Sequence, residues 1–284
     1  MLMQGEQAME FVFRRSYRGP LRAAILDWSG TAVDHGCFAP VAAFVEVFRR
    51  RGVPISVEEA RGPMGIHKRT HILQLTQLKS VSRRWHDVHG IAPTAEDVDA
   101  MYDEFVPALL GIVPDYCEPI PGVPAAVAAM RERGLLVGSS TGYTREIMDV
   151  VVPEAAKRGY APDSVVCSSD VPFGRPAPWM ALRSAMELNA YPMAAVVKIG
   201  DTVPDIQEGL NAGMWTIGLT VTGNEIGLSL DQVQALPADA LRARTRQAEQ
   251  RLFGAGAHYV VGALPDVLAV LDQVSARVAK GERP

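Results

Sequence analysis

Hydrophobic and polar positions along the chain fall into two kinds of stretch. Short apolar runs occupy residues 21–26, broken only by Arg22 and ended by Asp27, and then 135–138, 164–167, 194–199, 215–219 and 258–261. Most are separated by stretches of helical periodicity, at 123–133, 145–157, 179–188 and 238–252, with a further one at 264–278. Gly, Pro or Asp bounds most of these stretches, as expected of βα units. The alternation predicts an α/β fold, a doubly wound parallel sheet covered by helices on both faces. One interval departs from it. From about Phe38 to Tyr116 there are helical patterns and no convincing strand. Residues 40–51 form a helical pattern stopped at Gly52, Ser56-Val57-Glu58-Glu59 reads as a capping box, and Thr94-Ala95-Glu96-Asp97 is a weaker one. Pro114, Pro119 and Pro121 mark the return to the sheet. The expected organisation is a core of residues 1–36 and 118–284 with an inserted all-helical cap domain, 37–117, and hinges near Gly36 and Pro114 to Pro121.

Composition narrows the class without deciding function. The chain has 284 residues, 48% hydrophobic and 21% charged, which argues against disorder and coiled coil. With 28 Lys and Arg against 32 Asp and Glu, the net charge of −4 leaves no basic excess for binding a nucleic-acid backbone. The three cysteines, Cys37, Cys117 and Cys167, form neither a CxxC pair nor a zinc-ligand spacing, which suits a reducing compartment. No signal-peptide run precedes residue 20, and no membrane span of about 18 apolar residues occurs. These readings predict a cytoplasmic protein with no nucleic-acid or membrane partner.

Open parallel sheets bind ligands beyond the carboxyl ends of their strands. The residues there are Asp27-Trp28-Ser29-Gly30-Thr31, Ser139-Ser140-Thr141-Gly142, Gly174-Arg175-Pro176 and Gly200-Asp201-Thr202-Val203-Pro204-Asp205. Each alone could be a cap or turn. Four in order on successive strands suit a phosphoryl group and a divalent metal. Asp27 and Asp201 offer hard oxygen ligands for Mg²⁺, Ser140 or Thr141 with nearby N–H groups can cradle phosphate oxygens, and Arg175 can neutralise a pentacoordinate phosphorus. Within the helical interval, Arg61 to Ile72 contains Met64, His67, Lys68 and His71. Lys68 and His71 would share a helix face. A solvated face is the plain reading of either alone, and zinc is disfavoured because no third ligand accompanies His67 and His71.

The four stretches together resemble the haloacid dehalogenase superfamily, whose phosphotransferases use a strand-end Asp nucleophile in a DxDxT motif. Here Ser29 stands where the second Asp, the general acid/base, would be. Ser29 is a poor donor to a leaving alkoxide, which disfavours phosphomonoester hydrolysis. The string Asp27-Trp28-Ser29-Gly30-Thr31, together with Pro63-Met64-Gly65-Ile66-His67-Lys68-Arg69-Thr70-His71, resembles one branch, the phosphonoacetaldehyde hydrolases, with their DWxGT and PMGxxKxxH motifs. Thr141-Gly142-Tyr143, Gly174-Arg175-Pro176-Ala177-Pro178 and Gly200-Asp201-Thr202 also match, so the resemblance runs from about residue 21 to 278.

The resemblance implies a haloacid dehalogenase-like, Rossmannoid core and hydrolysis of the C–P bond of phosphonoacetaldehyde to acetaldehyde and phosphate, in degradation of 2-aminoethylphosphonate. By resemblance Asp27 attacks phosphorus to form an acyl-phosphate. Lys68 forms a Schiff base with the aldehyde, so that an enamine leaves in place of a carbanion. His71 assists proton movements. Asp27, Asp201 and the backbone carbonyl of Ser29 hold Mg²⁺; the family usually has Ala at position 29, a change a carbonyl ligand tolerates. Thr141, Gly142, Tyr143, Arg175, Met64 and Cys37 contact substrate, although for Cys37 plain packing serves equally well. A free Lys titrates near about 10.4, so Lys68 needs a desolvated, cationic setting to attack a carbonyl. Closure of the cap over the core and a homodimer formed through the cap are also implied. Two other readings remain: a Mg-dependent phosphatase or phosphomutase acting on a small phosphate ester, which would want Asp at position 29, and a non-catalytic binder, which would need neither Asp27 nor Lys68. His86, His89 and the N-terminal arginines read as surface residues.

Overall fold

The short apolar runs do form a single parallel sheet. In the computed structural model, which describes residues 16–284, six strands lie in the order β3-β2-β1-β4-β5-β6. They are β1 (Ala23–Leu26), β2 (Leu136–Thr141), β3 (Ser164–Cys167), β4 (Val196–Gly200), β5 (Trp215–Leu219) and β6 (Tyr259–Val261). Starting from β1 the chain steps outward through β2 to β3, then returns to β4 on the other side of β1. That reversal opens a crevice at the carboxyl ends of β1 and β4, the usual ligand position in such sheets. All four residues of β1 are buried, with alternate side chains on opposite faces. Ala24 and Leu26 pack in the larger core, while Ala23 and Ile25 join a second cluster.

Between β1 and β2 the chain forms α1 (Phe38–Arg50), α2 (Val57–Arg61), α3 (Lys68–Gln77), α4 (Lys79–His89) and α5 (Ala95–Leu110), then a 3-10 turn, Val113–Tyr116. Both predicted capping boxes are present, Ser56 with Glu59 and Thr94 with Asp97. Phe44 and Phe48 of α1, Trp85 of α4 and Phe105 of α5 are buried, and the Phe44 and Phe105 rings stack with centroids 4.5 Å apart. The chain's exit from this interval lies beside its entry. An isolated bridge pairs Val33 with Pro119, and the Ile120 amide donates to the Ala32 carbonyl at 2.9 Å.

The remaining helices are α6 (Val123–Glu132), α7 (Arg145–Lys157), α8 (Trp179–Glu187), α9 (Val203–Asn211), α10 (Leu230–Ala235), α11 (Ala238–Gly254) and α12 (Val267–Ala279). Buried residues of α6, α7 and α12 belong to the larger core, and Ala181 and Ala185 of α8 to the second cluster. Several boundaries differ from the hydropathy pattern. β2 runs on to Thr141 because its polar end finds partners: Ser139 Oγ donates to the Ser164 carbonyl at 3.0 Å and Ser140 Oγ to Glu208 at 2.9 Å. The starts of the fourth strand and the last helix are 3-10 turns, Met193–Ala195 and Leu264–Asp266. His86, His89 and Arg18 are exposed; Arg14 and Arg15 lie outside the described residues. No helix among the described residues is long and apolar enough to cross a membrane.

Candidate active site

Asp27 is the first residue beyond β1, and its amide donates to the Ile199 carbonyl of β4 at 2.9 Å. Asp201 is the first residue beyond β4. Thr31 Oγ1 donates to one Asp201 carboxylate oxygen at 2.9 Å, and the Asn224 amide to the other at 2.8 Å. Asp205 lies in the first turn of α9, where it completes a capping box with Thr202. One carboxylate oxygen from each of Asp27, Asp201 and Asp205 falls within 4.8 Å of the others. Both Asp205 oxygens are already engaged. Oδ1 accepts from Lys198 Nζ at 2.6 Å and pairs with Arg175 at 3.0 Å, and Oδ2 accepts from Thr202 Oγ1 at 2.6 Å.

Arg175 is buried at the centre of this cluster. It pairs with Asp27 at 2.7 Å and Glu208 at 2.9 Å and also donates to the Ser140 carbonyl at 2.7 Å. Ser140 is thereby spent on Arg175 and Glu208, which leaves Thr141 as the hydroxyl of the second strand end that lines the cavity. This corrects the option of Ser140 as a phosphate cradle. Four buried carboxylates (Asp27, Asp201, Asp205 and Glu208) meet the two cations Arg175 and Lys198. A divalent cation would neutralise the excess.

The protonation balance points the same way. Burial raises the Asp201 carboxyl to about 8, with Asp27 and Asp205 adding to the shift. Burial also raises Asp27, against the opposing pull of Arg175. Asp205 is lowered, because Arg175 and Lys198 outweigh its burial. The Ser29 carbonyl and the Asp201 carboxylate face a common space, since Cys37 Sγ lies 3.2 Å from the first and 3.4 Å from the second. The donor set is all oxygen apart from this thiol, whose pKa burial pushes well above its ordinary value. Hard oxygen donors, surplus negative charge and a carboxyl held partly protonated without a cation suit a hard divalent ion.

Lys68 opens α3 and is only 4% exposed. Its Nζ lies 3.9 Å from Met64 Sδ, 5.1 Å from the centroid of the Tyr143 ring and 5.8 Å from that of Phe44. Among the described residues no carboxylate forms an ion pair with it. Burial lowers its pKa from 10.5 to about 8, against the attraction of Asp27. The first turn of a helix is also an unfavourable place for a cation.

His71 lies one turn on and is fully buried against Phe44, ring centroids 3.9 Å apart. Its Nε2 is 2.8 Å from the Ala60 carbonyl and must carry the proton, so Nδ1, which has no partner among the described residues, is a free base. Burial and then Lys68 lower its pKa well below the usual value, keeping it neutral.

These groups close around a cavity of about 20 Å³, lined from the core by Asp27, Ser29, Thr141, Gly142, Tyr143, Arg175 and Thr202, and from the helical interval by Cys37, Pro40, Met64, Gly65 and Lys68. Of the residues expected at the site, Asp201, His71 and the Ser140 option stand behind this lining. Gly65 has φ of +94° and abuts Thr202, so a side chain there would hold the two parts of the wall apart. A larger cavity, about 600 Å³, lies between the linkers and Tyr116, Arg158 and Asp231, and holds none of the catalytic candidates.

Sequence reasoning gave no role to Lys198 and Glu208, which hold Asp205 and Arg175. The signals were present: a lysine within the apolar run Val196-Val197-Lys198-Ile199, and a glutamate three residues after Asp205 on the buried face of a helix. Ser29 Oγ is also committed, donating to Asp34 at 2.6 Å.

Comparison with known proteins agrees with this geometry. A family model described as haloacid dehalogenase-like hydrolase matches residues 21–213. The chain is 50% identical over 274 residues to a phosphonoacetaldehyde hydrolase from Syntrophobacter fumaroxidans, covering 96% of this chain and 99% of that protein. It is 46% identical over 254 residues to one from Bacillus cereus, covering 89% and 96%. A crystal structure of a phosphonoacetaldehyde hydrolase-like protein from Oleispira antarctica superposes with a TM-score of 0.94 at 40% identity, covering 97% of this chain and 100% of that one.

Proposed function

The chain belongs to the haloacid dehalogenase-like hydrolases, among the relatives named phosphonoacetaldehyde hydrolase, and from that premise we propose that it hydrolyses the C–P bond of phosphonoacetaldehyde to acetaldehyde and phosphate. The observation that carries the reading is Lys68. It is a buried amine with no ion-pair partner among the described residues, on the wall opposite Asp27 and Arg175. An ester phosphatase has no use for such an amine. It does need an acid for the departing alkoxide, and Ser29, hydrogen-bonded to Asp34, supplies none.

In the proposed mechanism neutral Lys68 adds to the aldehyde carbon, and loss of water leaves a protonated imine. His71, neutral with Nδ1 open, takes up the proton that Lys68 sheds and returns it to the hydroxyl that departs as water. Arg175 draws the phosphonate oxygens toward Asp27, and Asp27 attacks phosphorus. The C–P electron pair flows into the imine, giving an enamine on Lys68 and an acyl-phosphate on Asp27. Water cleaves the acyl-phosphate to phosphate. The enamine takes a proton, and water cleaves the resulting imine to acetaldehyde and free Lys68. Asp27, Asp201 and the Ser29 carbonyl would hold Mg²⁺, which supplies charge neutralisation between the phosphonate and the nucleophilic carboxylate. The cavity of about 20 Å³ admits little more than a water, so substrate entry requires the helical segment to lift from the core. The reaction fits a step in degradation of 2-aminoethylphosphonate.

Incubation with phosphonoacetaldehyde and Mg²⁺ should release acetaldehyde and phosphate in equal amounts and stop on chelation. Borohydride added during turnover should fix a two-carbon adduct on the peptide containing Lys68, and Lys68→Arg should abolish both. Turnover by Lys68→Arg would end the imine mechanism. Phosphate release from small phosphate esters, with no acetaldehyde from the phosphonate, would replace the reading with an ester phosphatase or mutase.

A further inference from the structure

Arg61, the last residue of α2, leaves the helical segment and inserts its guanidinium into the core. Nη1 donates to the Gly36 carbonyl at 2.6 Å and to Asn224 Oδ1 at 3.2 Å, and Nη2 donates to the Gly227 carbonyl at 3.1 Å. The Asn224 amide returns a bond to the Arg61 carbonyl at 3.3 Å, and the guanidinium carbon lies 5.2 Å from the Phe38 ring centroid. Position 227 is shaped for this guest. Its glycine has φ of +63°, and a Cβ there would come within 2.7 Å of Arg61 Nε. Among the described residues no carboxylate forms an ion pair with Arg61; its hydrogen-bond acceptors are neutral oxygens, and Asp34, Asp201 and Glu58 attract this half-buried cation from farther off.

The acceptors matter because of what else they hold. Asn224, which grips Arg61 by its side chain, donates its backbone amide to Asp201 Oδ2 at 2.8 Å. The Gly36 amide donates to the Thr222 carbonyl, and Thr222 Oγ1 to the Gly30 carbonyl, each at 2.8 Å. Arg61 thus clasps the linker that enters the helical segment and the loop that steadies a metal-ligand carboxylate. On its other side, Pro63, Met64 and Gly65 lead directly to Lys68.

We propose that Arg61 is a positioning residue that latches the Lys68-bearing segment onto the core and, through Asn224, couples that closure to cation binding at Asp201. The inference rests on the assignment of Asp27, Asp201 and the Ser29 carbonyl to Mg²⁺, and not on the imine chemistry. Binding of the cation fixes Asp201, Asp201 fixes the Asn224 amide, and the ordered loop presents Asn224 Oδ1 and the Gly227 carbonyl to Arg61. By linkage, closure strengthens cation binding by the same factor.

The test is hydrogen exchange by mass spectrometry on the full-length protein, with and without Mg²⁺ and without substrate. In the wild type Mg²⁺ should slow exchange across residues 57–72, and in Arg61→Ala that slowing should vanish while the β-strand peptides keep their protection. Mg²⁺ affinity by calorimetry should fall about tenfold, within the usual range of coupling between sites. Asn224→Ala, which leaves Arg61 and the position-224 amide in place, should reproduce both effects, and the double variant should add little to either. Arg61→Lys, keeping charge but not the forked geometry, should fall between. If Arg61→Ala does not fold, Asn224→Ala alone decides. Unchanged Mg²⁺-dependent protection and affinity in the folded variants, with only thermal stability lost, would reduce Arg61 to a structural tie and overturn the proposal. No reading requires turnover, so failure here is separable from failure of the C–P assignment.

Discussion

Lys68 shows how one side chain can be set for chemistry at a cost to the fold. With its pKa near 8 the amine is mostly protonated at neutral pH and becomes nucleophilic as pH rises. Under the proposed mechanism, the rate of imine formation should therefore climb through an acid limb with an apparent pKa near 8, losing about tenfold per unit well below it. A flat profile across that range would contradict a titrating Lys68. The same depression bears on stability. Below a pH of about 8 both folded and unfolded states carry the proton, and the folded state bears the full burden of a buried cation. Between about 8 and 10.5 the unfolded chain binds more protons than the folded one, so stability rises with pH there. Lys68→Met should then stabilise the protein at neutral pH by up to about 3 kcal/mol while abolishing turnover, read by thermal unfolding. The lysine was legible in the sequence from the motif around it. Its depressed pKa was only an expectation, because desolvation depends on Phe44 and Tyr143, which come from distant parts of the chain.

Elements whose pattern is carried by their own residues were the easiest to foresee. β3 and β5 match their hydropathy runs residue for residue, and so does α7 its periodicity. β2 was foreseen three residues short, because Ser139, Ser140 and Thr141 look like a loop until Glu208 and the Ser164 carbonyl are brought beside them. Partners from another element cannot be read locally. For the same reason Arg175 was foreseen as a cation for phosphorus, whereas the Glu208 and Lys198 that hold its surroundings were not. α1 and α3 depend on each other in a similar way. Phe44 is fully buried, stacks on Phe105 and packs on His71. Phe44→Ala should cost about 3–5 kcal/mol in denaturant unfolding. It should also lower turnover in the molecules that remain folded, because the His71 ring loses its support. A loss under about 1 kcal/mol would mean that the site collapses to fill the space.

For the whole molecule, the carboxylate surplus links cation binding to protons. Asp201, raised to about 8, is largely protonated at neutral pH without a cation. Mg²⁺ binding should therefore release up to about one proton, measurable by calorimetry in buffers of different ionisation heat, and its affinity should weaken as pH falls. Binding with no proton release would place the cation away from Asp201. One further feature bears on how such a protein could arise. Where the chain leaves the sheet after β1 and where it returns, Val33 and Pro119 are bridged side by side. The crossover from β1 to β2 is completed by α6, and the strand register from Ala23 against Leu136 to Leu26 against Ser139 uses no residue of the intervening helices. The helical segment is thus inserted between two points of the chain that touch. A short connector across that gap would leave the strand order unchanged, keeping Asp27 and Arg175 and removing Lys68. A different insert between the same two points would leave Asp27 and Asp201 in place and replace the wall that Lys68 supplies.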